Sequence, residues 1–163
     1  MNRAIAEMQH QGGLAEFPTR KPLTNLLLGG IALFAISFVA TWYRVWWDSI
    51  IALLVTALGY YSIRNEGLVP MGLTFDLAFY GSIVSFILHG VAFGIIAAEL
   101  SVKHALVIIK QDSLTPPGLL IFVLVVELAL LGYTGVIMSW FYRLRGEIKE
   151  GEAKADQDYR ELV

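Results

Sequence analysis

Four long apolar runs, separated by short polar segments, dominate the pattern of hydrophobic and polar positions along the chain. They cover residues 23–42, 47–63, 72–100 and 117–142. A helix needs about 20 mainly apolar residues to cross the hydrocarbon core of a bilayer, and the shorter second run approaches that length with aromatic residues at its ends. The pattern predicts an all-α, multi-pass integral membrane protein built as an antiparallel bundle of four transmembrane helices.

Polar segments divide the chain into an N-terminal tail (1–22), the transmembrane domain (23–142) and a charged C-terminal tail (143–163). Nine of the 12 lysine and arginine residues lie in the two tails and in the link between the second and third runs. Cytoplasmic loops carry an excess of basic residues, so both termini are predicted to be cytoplasmic. The C-terminal tail is expected to be solvated, as loose helix or as disordered chain.

Composition agrees with the membrane class and excludes several chemistries. The 163 residues are 56% hydrophobic, and the mean hydropathy is +0.63. The chain has no cysteine, which excludes disulfides, thiol catalysis and iron–sulfur ligation. A net charge of −2 gives no support for nucleic-acid binding. No catalytic motif is present and little chain remains for a soluble active site, so no enzymatic activity and no catalytic residue are expected.

The most informative single residue is Glu127, an acid inside the fourth apolar run. A carboxylate at that depth is costly unless it is protonated, paired, or facing protein or water. Counted along antiparallel helices, His89 of the third run lies at the same level. On each helix a polar stripe continues from this pair toward the cytoplasm, through Ser82 and Ser85 on one helix and Thr134 on the other.

Three interpretations of the His89–Glu127 pair remain open. The pair can be a hydrogen bond that locks two helices, or Glu127 can meet a partner subunit. Alternatively, the pair and its stripe can form a pathway for protons or cations. Ligation of haem is disfavoured because His89 and His104 lie on one helix. No cofactor and no metal site are expected, because no further ligand residue is evident beside the pair.

Small residues on the third run suggest where helices come together. Gly90, Gly94 and Ala98 share one helical face, and such residues let another backbone approach closely. This face serves either packing inside the bundle or association with a second chain. Residues 101–115 form the only sizeable segment on the outer side, where a partner on that side would bind.

Charged residues near the ends of the runs are interpreted as interfacial. The segment Trp42–Asp48 is predicted to be a tight outer hairpin whose aromatic residues lie at the headgroup level, with its charges just above them. Asp76 is expected to pair with Arg64 across the link between the second and third runs.

The order of these parts resembles small tetraspan proteins of the membrane-spanning four-domain (B-lymphocyte-antigen-like) type and, more loosely, MARVEL-type proteins. The residues that carry the resemblance are Trp47–Ile51 and Ala57–Tyr60 in the second run, Arg64 just after it, and Val126–Leu128 in the last run. The resemblance implies cytosolic termini and a non-enzymatic role as a partner in receptor or channel complexes or in trafficking.

These observations predict an accessory or scaffold subunit of a larger membrane complex, or a homo-oligomer. Its partners would be the lipid bilayer and other membrane subunits or further copies of itself. The alternative prediction is a component of a proton or cation channel or transporter that uses Glu127 and His89.

Overall fold

Each of the four apolar runs forms one helix in the computed structural model, which describes residues 17–42, 44–65, 68–108 and 117–161. In chain order the helices are α1 (Arg20–Thr41), α2 (Trp46–Ile63), α3 (Leu73–Ile108) and α4 (Pro117–Glu161). All four are long and apolar enough to cross a membrane. The prediction of an all-α chain with four membrane-spanning candidates is confirmed.

Helices α3 and α4 extend beyond the apolar runs 72–100 and 117–142 that hydropathy indicated. Helix α4 continues through the charged segment as far as Glu161, where the sequence predicted loose helix or disorder. The segment is rich in strong helix formers, and its first turns pack against the bundle through buried Leu144 and Ile148. Further along, Arg160 pairs with Asp156 one turn earlier, at 3.2 Å.

The helices pack in a ring in which α1 contacts α2 and α4, and α3 contacts α2 and α4. Short connections join α1 to α2 and α2 to α3, so consecutive helices run in opposite directions. We call the end that contains Arg20, Ile63 and Leu73 the basal end. The opposite end, where residues 42–45 connect α1 to α2, is the hairpin end.

Polar contacts join the helices at the basal end. The buried Arg20 guanidinium donates from Nε to the carbonyl of Ile63, at 2.8 Å, and from Nη2 to the carbonyl of Asn65. The Thr19 hydroxyl donates to Glu147 of α4. These bonds tie the start of α1 to the end of α2 and to α4, because the last carbonyls of a helix have no partner within it.

Asp76 forms its ion pair with a residue of α4, which the sequence did not indicate. Its carboxylate lies 3.5 Å from Arg145 of α4. The guanidinium of Arg64, the predicted partner, lies 4.9 Å from the ring centre of Tyr61 instead. The predicted Asp76–Arg64 pair is therefore replaced by a contact between α3 and α4.

Close packing of the helices depends on one glycine in each of α1, α2 and α3. A Cβ atom built at Gly30 would lie 3.0 Å from Thr56, one at Gly59 2.7 Å from Phe141, and one at Gly81 2.7 Å from Val55. At these points a side chain of a neighbouring helix packs against the glycine, and a methyl group there would displace that side chain.

Candidate functional site

The structure brings His89 and Glu127 together at the centre of the bundle. His89 Nδ1 of α3 lies 3.2 Å from Glu127 Oε2 of α4. Neither side chain has any exposed surface. A carboxylate and an imidazole removed from solvent in this way need each other as polar partners.

Asp48 joins this pair from α2. Its Oδ2 atom lies 2.9 Å from the same Nδ1 of His89, and the side chain is fully buried. Its Oδ1 atom accepts a hydrogen bond of 2.6 Å from the backbone N–H of Ser49. The first turn of a helix offers unpaired N–H groups and a positive dipole end, so a carboxylate is stabilised there.

Two predictions are corrected by the position of Asp48. The sequence placed Asp48 among charges just above the headgroup level, and it expected no third ligand residue beside the His89–Glu127 pair. Helix α2 begins only two residues before Asp48, whereas α3 and α4 continue past that level toward the hairpin end. The first turn of α2 therefore lies between its neighbours. Asp48, His89 and Glu127 form one buried group, which we call the triad.

A signal for Asp48 was present in the sequence. Asp48, Ala52, Thr56 and Gly59 recur at helical spacing on one face of α2, and all four are buried. A stripe of small and polar residues in an otherwise apolar helix indicates the face that packs inward. Asp48 is the first member of that stripe.

The remaining helix, α1, contributes Phe34. Its ring stacks on the His89 imidazole with 5.7 Å between ring centres and an interplanar angle of 15°. At about 1.5 Å per residue, Phe34, Asp48 and His89 lie about 21, 22 and 24 Å from the basal ends of their helices. All four helices thus place a side chain at one level.

Hydrogen bonds between described residues leave several triad atoms without a partner. The Nδ1 atom carries at most one hydrogen, and the bonding geometry directs it to Glu127. Asp48 Oδ2, Glu127 Oε1 and His89 Nε2 are buried, and no described group hydrogen-bonds to them. Asp48 Oδ2 thus lies at ion-pair distance from Nδ1, whose one hydrogen is directed to Glu127. Each unsatisfied buried polar atom costs about 1–3 kcal/mol.

Apolar side chains cover the triad toward the hairpin end. Val45, Ala92, Ile96 and Val123 form a buried cluster there, with Trp47 and Leu124 packed against it. On the opposite side lies a small cavity of about 10 Å³, enough for roughly one water molecule. Its lining comprises Val55, Thr56, Ser82, Ser85, Thr134 and Ile137.

The predicted polar stripe lies along this cavity. Ser82, Ser85 and Thr134 are all buried. Ser82 donates to the carbonyl of Phe79 at 2.7 Å, and Thr134 donates to the carbonyl of Leu130 at 2.9 Å. Ser85 Oγ, one turn from His89, has no hydrogen-bond partner among the described residues. Ser85 is therefore the member of the stripe with unused bonding capacity.

The small-residue face of α3 points away from the bundle. A Cβ atom at Gly90 would touch only the end of Leu131, at 3.9 Å, and one at Gly94 would meet nothing within 4 Å. Gly94 and Ala98 are exposed. Of the predicted outer segment 101–115, the backbone is described only as far as Ile108, and the side chains from 103 onward lie outside the described residues.

No protein-family model, no curated protein and no solved structure matches the chain in three comparisons. The resemblance to membrane-spanning four-domain and MARVEL-type proteins stays a prediction.

Proposed function

We propose that the chain is a non-enzymatic membrane protein that acts as an accessory or scaffold subunit of a larger membrane complex, or as a homo-oligomer. Both termini lie in the cytoplasm, as the distribution of basic residues favours. The basal end then faces the cytoplasm, together with the charged part of α4.

The observation that carries this proposal is the uncovered small-residue face of α3, formed by Gly90, Gly94 and Ala98. The glycines that pack inside the bundle have neighbours within 3.0 Å of a built Cβ, whereas Gly94 has none within 4 Å. In lipid, small residues on an outward face let a second helix approach closely. This face supports docking of a transmembrane helix from a partner or from another copy.

The triad supports the same role from inside the bundle. It joins α2, α3 and α4 through polar groups that have no exposed surface, and Phe34 adds α1. A polar group shared by several helices fixes their register, because any shift would leave buried charges unpaired. A scaffold needs such a rigid frame.

The test is a pull-down of the tagged full-length chain in a gentle detergent, followed by mass spectrometry and native mass. Stoichiometric foreign subunits, or a defined homo-oligomer, are expected for the unmodified chain and lost with Gly94→Leu. Gly132→Leu is the matched control, since Gly132 is also exposed with nothing within 4 Å of a built Cβ. A solitary monomer, or equal association of both variants, would overturn the proposal.

The proposed orientation has its own test. Because the chain has no cysteine, single substitutions give labelling sites without background. We expect Gly151→Cys to react with an impermeant thiol reagent only after cells are opened, and Ser101→Cys to react in intact cells. The reverse pattern would invert the topology.

A second candidate function is passage of protons or cations through the triad and the stripe of Ser82, Ser85 and Thr134. The small cavity lined in part by these three stripe residues favours it. Passage would require helix movement, because Ile63, Phe75 and Phe141 belong to the buried apolar cluster toward the basal end. Ion flux into vesicles that contain the purified chain, abolished by Glu127→Gln, would support this candidate.

A further inference from the structure

We propose that Asp48, His89 and Glu127 together bind one divalent transition-metal ion of the zinc type. This site is independent of the accessory role, because the metal lies inside the bundle whereas the docking face lies outside it.

The distances between the candidate ligand atoms fit a shared ion. Ligand atoms about 2.1 Å from zinc lie about 3.0 Å apart at right angles and about 3.4 Å apart at the tetrahedral angle. His89 Nδ1 lies 2.9 Å from Asp48 Oδ2 and 3.2 Å from Glu127 Oε2. One ligand atom from each residue lies within 4.8 Å of the others. All three can coordinate one ion once the two carboxylate oxygens lie within about 4.2 Å of each other, twice the metal–ligand distance.

The unpartnered atoms give a second, independent indication. Asp48 Oδ2 and Glu127 Oε1 are buried and accept no hydrogen bond from a described donor, although Asp48 Oδ2 lies at ion-pair distance from Nδ1. A metal ion between the three side chains would give these carboxylate oxygens a partner. It also leaves His89 Nε2 as the nitrogen that carries the hydrogen.

Charge favours a divalent ion. Two ionised carboxylates and a neutral imidazole carry a net charge of −2, which is costly in a group with no exposed surface. Within the described residues, only His89 reaches ion-pair distance of either carboxylate. An ion of charge +2 neutralises the group with both carboxylates ionised, whereas without an ion the group is neutral only if at least one carboxyl group is protonated.

The types of ligand select the kind of ion. Imidazole nitrogen favours zinc and neighbouring transition metals over calcium and magnesium, which prefer all-oxygen sites. Three protein ligands leave a fourth position for water, as zinc often has. Ser85 Oγ, one turn from His89 and without a hydrogen-bond partner among the described residues, lines a cavity with room for about one water molecule.

The test measures metal content of the purified full-length chain after incubation with zinc and removal of loosely bound ions. We expect one zinc per chain, and at least a tenfold loss of affinity in Asp48→Asn and in Glu127→Gln. His104→Gln and Glu99→Gln are matched controls, one histidine and one glutamate of α3 outside the triad, and both should retain the ion. Absence of saturable zinc binding, or equal loss in controls and triad variants, would overturn the proposal.

A measurement on the unmodified chain covers the case in which triad variants fail to fold. X-ray absorption at the zinc edge should show a shell of nitrogen and oxygen at about 2.0–2.2 Å with the outer scattering of one imidazole. A shell of water alone, or of several imidazoles from different chains, would contradict the triad site. Loss of partner binding with the zinc retained would instead refute the accessory role alone.

Discussion

The contact between Gly81 of α3 and Val55 of α2 gives the sharpest test of the packing. A methyl group at Gly81 would lie 2.7, 3.1 and 3.5 Å from three Val55 atoms, whereas ordinary contacts begin near 3.4 Å. Valine has one strongly preferred rotamer in a helix and cannot swing away. Gly81→Ala therefore forces α2 and α3 apart.

The magnitude follows by comparison with Gly94→Ala on the same helix, where nothing lies within 4 Å of the new methyl. Both variants gain the same helix propensity, about 1 kcal/mol for alanine over glycine, so this gain cancels in the difference. Overpacking costs about 1–3 kcal/mol. We expect Gly81→Ala to have a free energy of unfolding lower than that of Gly94→Ala by this amount.

The assay is reversible unfolding in mixed detergent micelles, followed by far-ultraviolet circular dichroism. Adding Val55→Ala to Gly81→Ala removes the atoms that clash and should recover most of the difference, since residues in contact couple energetically. If the two glycine variants differ by less than about 0.5 kcal/mol, the α2–α3 contact is not as close as described.

Three further predictions use the same unfolding assay. Tyr133→Phe removes a 2.6 Å hydrogen bond to the Leu26 carbonyl and should lower the free energy of unfolding by about 0.5–1.5 kcal/mol. Phe141→Ala empties a fully buried site and should cost about 3–5 kcal/mol. Arg20→Met removes a charged donor from the Ile63 carbonyl and should cost about 1.5–3 kcal/mol, with faster hydrogen exchange at the basal end of α2.

A specific result would contradict each of these three predictions. Unchanged stability of Tyr133→Phe would mean that the hydroxyl is equally well bonded elsewhere. A loss below 1 kcal/mol in Phe141→Ala would place that ring outside the core. Unaltered exchange in Arg20→Met would show that the end of α2 does not depend on the guanidinium.

Hydropathy predicted the elements because the cost of exposing backbone to lipid leaves long apolar runs only one structure, the helix. Depth along the runs also put His89 and Glu127 on one level, and the structure places them in contact. Both inferences need only the rise per residue and the direction of each helix.

Hydropathy could not give the relative offset and rotation of the helices. Asp48 follows two tryptophans, so the sequence interpretation assigned it to the membrane surface. Its burial depends on how far α3 and α4 extend past the start of α2, which only packing determines. Rotation likewise decides that Gly81 faces α2 while Gly94 faces outward, although both lie on α3. Hydropathy averaged over a run of residues does not record which contacts each residue makes, although these contacts differ by a few kcal/mol.

The continuity of α4 has a mechanical consequence. From Glu127 to Glu161 the helix is unbroken over 35 residues, a rise of about 51 Å. Among the described side chains, the last buried contact of α4 with the bundle is Ile148, so the final 13 residues, about 20 Å, extend beyond the packed core. A tilt of about 5° at Ile148 would displace the tip by about 2 Å, so small changes in the packing of α4 are carried to its charged end.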